Sequence, residues 1–217
     1  MRNVKCLQVL MMAVFVSLLS ACGGGGGGDA SAGAPAPQAV PTALLGPTSY
    51  TSYANSPFNG QVLSYFHLED FEDHLLNTPG VTASAGQVTS IIFPGYIDSV
   101  DADDGVIDGS GSSGDSYFYS PGSAGIDFSF DAAILGALPS HVGIVWTDGN
   151  GTTSFEAFDA ANISLGVVGP IAIADGGNLG TTAEDRFFGA THAGGISRIV
   201  IRNSSGGIEV DHLQYGR

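Results

Sequence analysis

The chain has 217 residues, 43% of them hydrophobic and only 12% charged, with 33 Gly and 10 Pro. So many helix-breaking residues exclude a helical bundle or a coiled coil. Six basic residues stand against 21 acidic ones, a formal charge of -15, which excludes nucleic-acid binding because phosphate contacts need Lys and Arg.

Residues 1–21 read as a lipoprotein signal peptide. Arg2 and Lys5 form a basic start, and Val9 to Leu19 is an apolar run broken only by Ser17. That run is shorter than the ~20 residues a spanning helix needs, and the layout is that of a secretory signal. Leu19-Ser20-Ala21-Cys22 resembles the bacterial lipobox. The resemblance implies a lipidated Cys22, cleavage after Ala21 and a bilayer partner reached through the acyl chains; an ordinary signal peptide cut nearby is the alternative. Gly23 in place of an Asp after the cysteine points to the outer membrane in a host that has one. The processed chain is expected to keep four basic residues, all Arg (186, 198, 202 and 217), and Cys22 alone, so it forms no internal disulfide. Residues 22–60 open on an unbroken run Gly23 to Gly28 and continue rich in Ala, Pro, Ser and Thr. Such a composition buries too little apolar surface to offset ordering, so the segment is expected to be a tether, with Tyr50, Tyr53 and Phe58 beginning to dock.

Residues 61–217 are expected to form one folded domain. Short β-rich runs follow one another at Val62–Phe66, Val88–Phe93, Tyr117–Tyr119, Gly125–Asp131, Val142–Thr147, Phe155–Phe158, Ile163–Val168, Arg186–Thr191, Ile196–Ile201 and Ile208–Leu213. In Gly125–Asp131 the alternation puts Ile126, Phe128 and Phe130 on one face. Asp148-Gly149 and Asn203 to Gly207 read as hairpin turns. A short helix is expected over Glu69–Leu76. Period-2 runs between frequent turn signals predict an all-β fold, an antiparallel β-sandwich.

Residues 62–216 resemble the secreted bacterial jelly-roll, lectin-like domains of PEP-CTERM-type exported proteins. The stretches that carry the resemblance are Phe71-Glu72-Asp73 with Thr78-Pro79-Gly80, Asp98 to Gly105, Gly143 to Gly149, Phe187-Phe188-Gly189 with Gly195 to Ile199, and Val210 to Leu213. The resemblance implies a jelly-roll-like fold and names no activity. That group's sorting tag has no counterpart up to Arg217, and the lipobox is expected to take its place.

The strongest local chemistry is the acidic loop Asp98, Asp101, Asp103, Asp104, Asp108 and Asp115. Carboxylates this close repel unless a cation neutralises them, and oxygen-only ligands on a flexible loop suit Ca²⁺. Its spacing is not that of an EF-hand, and a solvated acidic turn is the competing reading. Resemblance to jelly-roll modules that share a calcium between first and last strands implies Glu69, Glu72 and Asp211 as a second ligand set. Candidate ring platforms for a sugar are Tyr117, Tyr119 and Trp146, although Trp146 shares a strand face with Val142 and Ile144 and reads equally as core. No nucleophile elbow and no zinc-protease histidine spacing occurs, so no catalytic residue is assigned and the protein is not expected to be an enzyme; a glycosidase carboxylate pair is a minor alternative. Two functions follow as expectations: a surface-anchored, calcium-stabilised module binding glycan or envelope polysaccharide, or a structural or adhesive envelope lipoprotein with no small ligand.

Overall fold

The computed structural model describes residues 40–217 except 93–95, 112 and 178–180. The expected signal peptide, the lipidated Cys22 and the tether as far as residue 39 lie outside the described residues. The strands are β1 Thr42–Ser49, β2 Phe66–Glu69, β3 Val81–Ala83, β4 Gln87–Val88, β5 Tyr117–Tyr119, β6 Ile126–Phe130, β7 His141–Asp159, β8 Ser164–Ile171, β9 Arg186–His192 and β10 Ile196–Gly216. Every pairing among them is antiparallel, and the described helices are single turns such as Thr89–Ile92 and Ala132–Leu135. The fold is all-β and sandwich-like, as the alternating runs predict.

A two-stranded ribbon, β7 against β10, runs the length of the fold, from the pair Ile196–Asp159 to the pair Gly216–His141. One half carries β6 and β3 on the β10 side and β8 on the β7 side. The other half carries β2 and β5 on β10, and β9 followed by β1 on β7. Between the halves the register shifts repeatedly, from Asn203 to Ile208 on β10 opposite Gly149 to Thr153 on β7. Here the expected hairpin turns prove to be continuous strand. Each Gly- and Asn-rich stretch pairs with the other, and the bulges between them bend the ribbon so that its halves face one another. Asn203 ties the bend together: its Oδ1 accepts Trp146 Nε1–H and Thr153 Oγ1–H, both at 2.9 Å, and its Nδ2 donates to Gly207 O at 2.8 Å.

The inner faces meet in one core. Ile126, Phe128, Phe130, Phe155, Ala157, Ile199 and Ile201 from one half pack with Val142, Ile144, Trp146, Phe188, Val210 and Tyr215 from the other. Side chains of this size contribute about 1.5–3 kcal/mol each when fully buried. A second, smaller cluster lies on the outer face of the β9–β7–β10 half, where alternation points Val145 and Phe187 away from the core; Tyr50, Phe58 and Val100 cover them.

That outer layer corrects the expected tether. From Thr42 the chain is a strand on the sheet edge, with Leu44 packed on the main core and Leu45 on the outer cluster. Its small residues read as linker, but pairing to β9 supplies the hydrogen bonds and Leu45, Tyr50 and Phe58 supply the burial. The close approach requires glycine at position 46: φ is +87°, and a Cβ there would stand 2.1 Å from Phe187 O. Two further expectations fail locally. Residues 70–76 form turns rather than a helix, with Phe71 and His74 at positive φ, because the Glu69 carboxylate gathers the amides of Phe71, Asn77 and Thr78 and folds the chain back. The run expected as a strand from Val88 turns into the Thr89–Ile92 helix.

Candidate metal centre

The site is built on the outward face of β9, β7 and β10. Outside the core positions Ile208, Val210 and Leu213, β10 turns Glu209 and Asp211 to this face, where Asp98, Val100 and Ser116 meet them. Glu209 accepts the Asp98 amide at 3.0 Å and the hydroxyls of Thr89 and Ser116, the former at 3.2 Å. Asp211 accepts the Val100 amide at 2.8 Å and the His212 amide at 2.6 Å. The acidic loop is thus clamped to the sheet by two buried carboxylates of the last strand.

The residues of the expected calcium loop separate into distinct tasks. Asp101 is buried and gathers the amides of Asp108, Gly109 and Ser110 at 3.2 Å, which closes the loop. Asp104 and Asp108 lie with it, but both are already bonded to the Ser110 hydroxyl. Asp115 is held by Ser90 and by His74 at 2.6 Å. Asp98 and Asp103 instead point inward. Among the described residues Glu69 and Glu72 do not gather with Asp211 at ligand distance, and the Glu69 oxygens hold the amides of Phe71, Asn77 and Thr78. Glu72 does belong near the centre. Partial burial pushes its carboxyl up to about 7, and the charges of Asp103, Asp115 and Asp70 add to this.

Besides Thr78 Oγ1, two sets of buried atoms lack hydrogen-bond partners among the described residues. One comprises Asp98 Oδ1, both oxygens of Asp185 and Thr147 Oγ1. Asp185 and Thr147 are fully buried and Asp98 is 3% exposed. Thr147 and Asp185 each stand one step past the paired Trp146 and Arg186. Burial pushes Asp185 up to about 10 and Asp98 up to about 9; Asp98 and Glu184 add repulsion at Asp185, and Glu209 and Asp148 add it at Asp98. Arg186 eases Asp185 only in part, and its Nη1 is spent on the carbonyls of Ala183 and Asp185. Nearby, burial raises Glu184 and Glu209 to about 7 and Asp148 to about 6. All the protein's donors here are oxygens. The second group is His212 Nε2 and Asp103 Oδ2, beside Asp211.

The expected aromatic platform is not present. Trp146 is fully buried with its N–H committed to Asn203, and Tyr117 is buried against Phe71 and Phe128. Tyr119 packs partly buried on the same core. The alternation that lines Trp146 with Val142 and Ile144 carries the explanation: that face is the core face.

No family model matches the chain, and comparison with curated proteins and with solved structures likewise gave no match. The sequence alone pointed to Asp98, Asp103, Asp211 and Glu72. It missed Thr147, Asp148, Glu184, Asp185, Glu209 and His212, which sit singly on strands and strand ends. One signal was available: acids at 209 and 211 alternate with Ile208 and Val210, an arrangement that puts two carboxylates on one face of an otherwise apolar strand.

Proposed function

We propose that this chain is a calcium-stabilised β-sandwich domain displayed on the cell envelope as a lipoprotein, with a structural or adhesive role rather than a sugar-stacking one. The observation that carries this reading is that both Asp185 oxygens, Asp98 Oδ1 and the Thr147 hydroxyl are buried without a hydrogen-bond partner among the described residues, while Arg186 relieves Asp185 only in part. Buried carboxylates left so are strongly unfavourable. An oxygen-binding divalent ion would relieve such carboxylates, and extracellular calcium sites work with dissociation constants on the order of 10⁻⁴–10⁻³ M. The burial of Trp146 and Tyr117 argues against a stacking platform for pyranose rings. The jelly-roll, lectin-like resemblance is compatible with this reading, because fold alone does not carry ligand specificity.

A glycan array probed with the purified protein, with and without calcium, is expected to give no calcium-dependent signal. A signal that Tyr119→Ala abolished would restore the glycan-binding reading. For the anchor, Cys22→Ser is expected to lose incorporation of a palmitate analogue during growth. Equal labelling of wild type and variant would remove the lipoprotein assignment and leave the domain reading untouched.

A further inference from the structure

We propose that Asp103, Asp211 and His212 form a second metal site, chemically distinct from the oxygen-only group, that takes a first-row transition ion of the Zn²⁺ class. His212 Nε2 lies 2.8 Å from Asp103 Oδ2, yet no aligned hydrogen bond joins them. Both atoms are shielded from water, and His212 is 3% exposed. A ligand atom of each of the three residues falls within 4.8 Å of the others. An ion shared by the imidazole nitrogen and the carboxylates would satisfy the two atoms, His212 Nε2 and Asp103 Oδ2, that lack an aligned hydrogen bond.

The backbone is shaped for this. Neighbouring residues on a strand point to opposite faces, so Asp211 and His212 would ordinarily diverge. The register against β7 slips between Asp211 and Gln214, and His212 adopts φ +42°. This bulge turns both side chains to the outer face and returns Leu213 to the core. A positive φ at a non-glycine residue is uncommon and carries a cost that surrounding contacts must offset.

The neighbouring contacts hold the ligands in place. Tyr50 OH stands 2.9 Å from His212 Nδ1, the nitrogen away from Asp103. Gln214 Nε2 donates to the Tyr50 oxygen at 3.0 Å, and Ser56 Oγ donates to Gln214 Oε1. Asp211 is oriented by the amides of Val100 and His212. Metal-binding histidines are typically oriented through the second ring nitrogen, and bound carboxylates through hydrogen bonds of their own. Tyr50 and Gln214 are therefore positioning residues. The nitrogen donor decides the class of ion, because imidazole suits Zn²⁺ and its neighbours, whereas Ca²⁺ takes oxygen. Access runs past Asp103, whose side chain is 14% exposed.

The test is Zn²⁺ titration of the purified, chelator-stripped full chain in competition with a chromophoric chelator. One Zn²⁺ per chain is expected, retained in equimolar Ca²⁺. His212→Gln and Asp103→Asn are each expected to weaken binding tenfold or more, and Tyr50→Phe by about tenfold, the lower end for loss of an outer partner. Asp103→Asn and Tyr50→Phe decide the matter should His212→Gln fail to fold by circular dichroism. Asp185→Asn is expected to leave Zn²⁺ affinity unchanged, so this site stands or falls apart from the calcium reading. Unaltered affinity in Asp103→Asn and Tyr50→Phe, or displacement of Zn²⁺ by equimolar Ca²⁺, would overturn it.

Discussion

Ca²⁺ at a hundredfold excess over its dissociation constant is expected to raise the melting temperature of this protein by roughly 5–10 °C, and Asp185→Asn is expected to abolish the gain. An ion bound only by the folded state adds RT ln(1 + [L]/Kd), about 2.7 kcal/mol at a hundredfold excess, and 1 kcal/mol moves the midpoint of a domain this size by about 2–4 °C. Asp185 and Asp98 carry the response because their oxygens are buried and unpartnered. The paired substitution Asp104→Asn with Asp108→Asn is expected to leave the calcium gain intact, since those carboxylates are already bonded to Ser110 and reach solvent. Thermal unfolding by circular dichroism, with chelator and with calcium, reads all of this. A calcium gain lost in the Asp104/Asp108 variant but kept in Asp185→Asn would return the ion to the exposed loop, where sequence density first places it.

The difference between those two placements shows what was legible in the sequence. Periodicity exposed the core strands: Ile126, Phe128 and Phe130 alternate with polar residues, and they are the buried positions of β6. It could not show that Asp148-Gly149 and Asn203 to Gly207 continue a ribbon, because a turn and a bulge draw on the same residues, and only the partner opposite distinguishes them. It could not place β1 either, since Thr42–Ser49 has a linker's composition and gains its order from β9 and from the apolar patch under Tyr50. The acidic loop was visible as a density of Asp. Which of those carboxylates face inward depends on Glu209 and Asp211, more than a hundred residues away, which clamp the loop through the amides of Asp98 and Val100. His212 was hidden for a related reason: adjacent residues on a strand are read as opposite in facing until a bulge is known.

The same buried acids predict an unusual dependence of stability on pH. In chelator, the melting temperature is expected to fall by on the order of 10 °C between pH 7 and pH 9, and calcium should largely remove that fall. The sign follows from linkage: a carboxyl raised in the fold holds a proton that the unfolded chain has already released, so the native state binds more protons and loses stability as pH rises. Asp98, pushed up to about 9, and Asp185, pushed up to about 10, stay protonated across most of this window. Glu209 and Glu184, at about 7, finish titrating near its start. A fully buried group of this kind contributes on the order of 1.4 kcal/mol per pH unit, so two of them over two units amount to several kcal/mol before structural relaxation reduces it. His67 and His141 act oppositely, because burial lowers them, but their contribution is complete below the window, near the ordinary histidine value of about 6.5. Calcium replaces the two protons, so binding near pH 7 should release about two protons per ion, measurable by calorimetry in buffers of different ionisation enthalpy. Asp185→Asn, a neutral mimic of the protonated acid, should be more stable than wild type in chelator at pH 9, by a smaller margin at pH 6, and about equal to it only near the ordinary aspartate value of about 4. A melting temperature that stays level or climbs from pH 7 to pH 9 in chelator would mean that these carboxylates are charged in the metal-free fold, and the buried oxygens would then need no ion to hold them.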